Sequence, residues 1–64
     1  MRIKRQYFAT QVGRDVLWTQ AQNEVEARAN LEAGGESIPA DARFWTVETM
    51  ADAPADVQAV LSSS

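Results

Sequence analysis

The 64-residue chain carries six basic and nine acidic side chains, no cysteine and no histidine, for a net charge of −3. That length holds one small domain, which hides only about 60% of the surface its unfolded chain exposes. Without cysteine or histidine, a disulfide framework, a thiolate or imidazole metal site and histidine-based acid–base catalysis are excluded. No apolar run approaches the roughly 20 residues of a membrane span, and the polar start does not read as a signal peptide. The expectation is one soluble, intracellular domain over residues 1–64. Small domains with no covalent staple often gain stability by association, so both monomer and homodimer stand open.

Charge is distributed unevenly. Residues 1–14 hold Arg2, Lys4, Arg5 and Arg14 and no acid. Residues 15–64 hold nine acids against Arg28 and Arg43, a balance of −7. Segregation of sign suggests a surface read by its electric field rather than an evenly mixed coat.

Residues 2–12, RIKRQYFATQV, are aromatic and β-branched with no Gly or Pro, which predicts a strand. Its alternation is imperfect: Ile3, Tyr7 and Ala9 share one face, Phe8 and Val12 the other. Two partly covered faces or a bulge would each explain this. Gly13-Arg14-Asp15 supplies a tight turn, and Asp15 to Gln20 returns as a second strand with Val16 and Trp18 on one face and Leu17 on the other.

Asn23 with Glu26 three residues on fits a capping box and starts a helix over 23–33; Thr19 with Gln22 is a weaker alternative. Glu24–Arg28 and Arg28–Glu32 are spaced for i,i+4 ion pairs. Val25 and Leu31 anchor a weak apolar stripe, beside Ala29 and the Arg28 stem. Gly34-Gly35 ends the helix, with Gly34 suited to the left-handed cap position. Ser37 to Asp41 is a connector with room for one helical turn. Arg43 to Thr49 reads as a third strand. Asp52-Ala53-Pro54 is a helix start, with Val57, Val60 and Leu61 as its apolar edge and a frayed tail over 62–64.

The order β-β-α-β-α predicts an α+β fold: a three-stranded antiparallel or mixed sheet in spatial order 2-1-3, with the first helix packed on one face. The last helix shares that face or lies over an edge.

No nucleophile, Gly-rich phosphate loop or metal-ligand cluster stands out, so the chain reads as non-enzymatic and free of cofactors. Asp52 and Asp56 are better explained as helix-start acids than as Mg²⁺ ligands. Three functional classes remain. In the first, Glu24, Glu32, Glu36, Asp41, Glu48, Asp52 and Asp56 form an acidic surface that imitates phosphates and occupies the basic site of a nucleic-acid-binding complex. In the second, Arg2, Lys4 and Arg14 track the phosphates of a nucleic acid while Tyr7, Phe8, Trp18 or Trp45 stack on its bases. In the third, a homodimeric accessory protein buries leftover apolar surface across an edge strand.

The passage LWTQAQNEVEARANLEAG resembles the strand-then-acidic-helix unit of small phage-encoded accessory proteins. The whole chain, short, acidic, cysteine-free and α+β, is similar in type to anti-CRISPR proteins, several of which are DNA mimics. It differs from the most acidic mimics in its four basic residues at the start. The resemblance implies an inhibitor that blocks target DNA binding by a host defence complex.

Overall fold

A seven-residue hairpin supplies most of the sheet. In the computed structural model, which describes residues 5–63, β1 (Gln6–Val12) and β2 (Asp15–Ala21) pair antiparallel from Gln6↔Ala21 to Val12↔Asp15 without a break. Arg2, Ile3 and Lys4, expected at the start of the strand, lie outside the described residues. Gly13 turns the chain at φ +64° while Arg14 keeps a negative φ, the type II′ combination that matches strand twist. The imperfect alternation of β1 therefore records two covered faces, not a bulge.

α1 (Glu24–Ala33) begins where the side chain of Asn23 accepts the Glu26 N–H at 2.8 Å. Its buried positions are Ala27 and Leu31; Val25, expected as an anchor, is 80% exposed, and Ala29 is exposed too. Two residues turn a helix by about 200°, so once Ala27 faces the sheet Val25 must face water. Ala27 wins because its small side chain lets the helix approach Phe8 and Ala21 closely. At the other end Gly35, not Gly34, takes the left-handed conformation (φ +97°). Glu36 N–H bonds to Leu31 C=O and Gly35 N–H to Glu32 C=O, the paired bonds of a Schellman ending.

Arg28 forms neither expected ion pair. Its guanidinium lies 5.6 Å from the Phe44 ring centroid and donates to the carbonyls of Pro39 (2.9 Å) and Ile38 (3.4 Å). Among the described residues no carboxylate joins it. The connector forms no helical turn; Ile38 is buried, and Ala42 N–H closes a tight turn onto Pro39 C=O.

β3 spans only Phe44–Trp45, antiparallel to β1 through Thr10↔Phe44 and Ala9↔Trp45, giving the order β2-β1-β3. The strand expected to reach Thr49 stops early because threonine side chains compete for its backbone. Thr46 N–H donates to Thr49 Oγ1 (2.9 Å), and Glu48 N–H to Thr46 Oγ1 (3.2 Å). A 3-10 turn, Met50–Asp52, follows.

α2 (Ala55–Ser62) starts after Pro54, so Asp52 closes the 3-10 turn instead of capping the helix. The Gln58 side-chain amide donates to Ala53 C=O and Ala51 C=O, tying the two elements together. Ser62 belongs to the helix and Ser63 Oγ donates back to Ala59 C=O, so the expected fraying does not reach either residue; Ser64 lies outside the described residues.

The placement of α2 corrects the expectation that it would share the α1 face or sit over an edge. α1 closes a core of Phe8, Ala21, Ala27, Leu31, Ile38 and Phe44. α2 closes a second core on the opposite face, where Val57 and Leu61 meet Ala9 and Ala53, with Tyr7, Val16, Trp45 and Met50 around them. The alternation of β1 fixes this: Phe8 points to α1, while Ala9 offers α2 a fully buried, small-residue seat. Burying a Val or Leu side chain contributes about 1.5–3 kcal/mol, so Val57 and Leu61 suffice to hold the short helix. No helix among the described residues is long and apolar enough to cross a membrane.

Candidate functional site

The chemistry-bearing side chains are carboxylates, and the fold decides which of them are neighbours. Glu24, Glu32, Glu36, Asp41, Glu48, Asp52 and Asp56 are all exposed. Among the described residues, none of their carboxylates accepts a hydrogen bond or an ion pair. All seven carboxylates thus face solvent.

Five of them lie on the segments that enter and leave β3. The entering connector carries Glu36 and Asp41 and is moored by Arg28 at Pro39 and by Ala42 against the α1-side core. The leaving segment carries Glu48 and Asp52, and Met50 and Ala53 hold it against Trp45. Asp56 follows in the first turn of α2. These five flank β3 in the chain, with Glu36 just past the end of α1 on one sheet face and Asp56 in the first turn of α2 on the other. Glu32 lies next to Glu36 through the helix ending, whereas Glu24 opens α1 on the side of the sheet that α1 covers, over β2. The acids are spread as a belt along the chain rather than gathered in a knot: among the described residues no three come together closely enough to hold a metal ion.

The two cations of this region are engaged with rings. Arg28 lies over Phe44, and the Arg43 guanidinium is 5.4 Å from the Trp45 ring centroid. Such stacking contributes about 0.5–1 kcal/mol at exposed sites and spends the cations on the fold instead of on the acids. Across β3 and its flanks, residues 36–56 carry five acids against Arg43 alone. Thr10 fixes the β3 edge from beneath: fully buried, its hydroxyl donates to Arg43 C=O at 2.7 Å.

Of the basic set, Arg14 is exposed on the hairpin turn, while Arg2 and Lys4 lie outside the described residues. The aromatic set divides. Phe8 and Phe44 are core residues, and Trp45 is half-buried with its indole N–H enclosed and without a partner among the described residues. Only Trp18 is an exposed ring, 54% accessible, with its centroid 5.6 Å from that of Tyr7. Beside it opens a cavity of about 290 Å³ lined by Tyr7, Trp18, Val60, Leu61 and Ser63. Sequence reasoning named Trp18 among the rings free to stack but did not separate it from Phe8, Tyr7 and Trp45, which the fold covers wholly or in part. The signal was Ala9, whose smallness draws α2 onto β1 and leaves the neighbouring indole uncovered. No family model, curated protein or solved structure shows a significant match to the chain.

Proposed function

We propose that the chain is a non-enzymatic acidic interaction module that occupies the basic nucleic-acid-binding site of a host defence complex and blocks target DNA binding, as anti-CRISPR DNA mimics do. The observation that carries this reading is charge: Glu36, Asp41, Glu48, Asp52 and Asp56 are all exposed on the segments that flank β3, and among the described residues none of their carboxylates is paired. A groove of Lys and Arg built for phosphates gains from such acids by releasing the counterions it otherwise holds. Complementary charge would speed encounter and set orientation more than it would raise affinity. Glu24, on the β2 side, contributes little in this arrangement.

The test is displacement of labelled DNA from purified CRISPR effector complexes, measured across a salt series. The parent chain should compete, and less well as salt rises. Reversing Glu36, Glu48 and Asp52 to Lys should abolish competition with circular dichroism unchanged, while Glu24→Lys should retain most of it. Equal potency of the triple variant and the parent would remove the proposal. A gel shift with DNA or RNA alone, steep in salt, would move the assignment to direct nucleic-acid binding.

A further inference from the structure

We propose that β2 is a self-pairing edge, and that two copies of this chain join antiparallel along it with Trp18 on the twofold axis. This inference rests on the opposite side of the sheet from the acidic belt and is independent of the function proposed above.

The edge is lightly guarded. β2 is seven residues long, unbroken in register, and contains no Lys or Pro; its one charge, Asp15, sits at the turn end, and α1 reaches the edge through Asn30 at Gln20 C=O. The other edge, β3, is protected by being two residues long.

The hairpin determines which groups are free. A two-residue turn makes Val12 and Asp15 the first pair to exchange hydrogen bonds, and the antiparallel ladder then alternates. Leu17, Thr19 and Ala21 spend their peptide groups on β1, and Val16, Trp18 and Gln20 turn theirs outward. The Asn30 side chain confirms the direction, since its amide reaches Gln20 C=O from outside the ladder at 3.1 Å. That carbonyl keeps a second lone pair. The three outward residues are centred on Trp18, so all of them find partners in a second copy only when Trp18 meets Trp18. Val16 of each copy then faces Gln20 of the other.

Side chains and charges agree with this register. Both indoles fall on the α2 face, where the exposed ring of one copy meets the other beside the wall formed by Tyr7 and Val60. Arg14 falls opposite Gln22 of the second copy, two residues from Glu24 in the acidic first turn of its α1. Arg14 and Glu24 are exposed, and neither side chain has a partner within its own chain among the described residues. The twofold forms this cation–carboxylate contact twice.

Sedimentation equilibrium of the full chain tests the proposal. The expected result is a species of twice the 7.1 kDa chain mass that dissociates on dilution. Trp18→Lys, at a position 54% exposed, should raise the dissociation constant about tenfold or more with the circular dichroism spectrum unchanged. Arg14→Glu should weaken association, and Arg14→Glu with Glu24→Arg should restore it, because the swapped pair forms again between copies. Val47→Lys, 55% exposed and beyond the β3 edge, should leave association unchanged. A monomer at millimolar concentration, a dimer indifferent to Trp18→Lys, or a charge swap that fails to rescue Arg14→Glu would each overturn it.

Discussion

The two faces of the sheet are covered by different means. On the α1 side, large rings lie at the centre: Phe8 and Phe44 are buried under Ala27 and Leu31, and Ile38 plugs the margin. On the α2 side the centre is small, with Ala9 beneath Val57 and Leu61, and the rings of Tyr7, Trp18 and Trp45 stand around it. One arrangement seals a face; the other brings a helix close and leaves aromatic surface at the border. The difference shows how a 64-residue chain can afford two helix layers: it seals one and trims the other.

The comparison can be broken most severely at the sealed face. Phe44→Ala should lower stability by about 3–5 kcal/mol, most of what so small a domain has, and urea unfolding followed by circular dichroism would measure it. On the trimmed face, Leu61→Ala should cost about 2–3 kcal/mol in the same assay, less because the helix lies beside open solvent and can settle. A loss there as large as at Phe44 would show the faces to be equivalent. Thr10→Val removes the hydroxyl held by Arg43 C=O and should cost about 1–3 kcal/mol, with hydrogen exchange at Phe44 and Trp45 accelerating first. Asn23→Ala should cost about 1 kcal/mol by removing the α1 cap, leaving α2 unaffected. The smallest effect is expected from Trp45→Phe, about 0.5 kcal/mol, because the indole N–H donates to no group among the described residues and the loss is confined to packing and to part of the Arg43 stacking.

Much of this architecture could be read from residue order. The hairpin, the Asn23 cap, the order β2-β1-β3 and the apolar edge of α2 rest on turn chemistry and periodicity, both local properties. Other features depended on competition between neighbours. Ala27 displaced Val25 as the buried position because α1 is only weakly amphipathic and the closer fit prevailed. Thr46 and Thr49 bonded to their own backbone and cut short a segment whose composition favours a strand. Gly35 took the cap that Gly34 was expected to take, one residue later. For the acids, exposure was legible and proximity was not. That Glu48 lies in a turn and not in a strand follows from the bonds of Thr46 and Thr49 to the backbone around it.

The second face is covered by residues 53–61, which follow every residue of the first core in the chain. The hairpin, α1, the connector and β3 supply that first core complete, so it can close while Tyr7, Ala9 and Trp45 still lack their roof. Until α2 docks, the aromatic border of that face stays open to water.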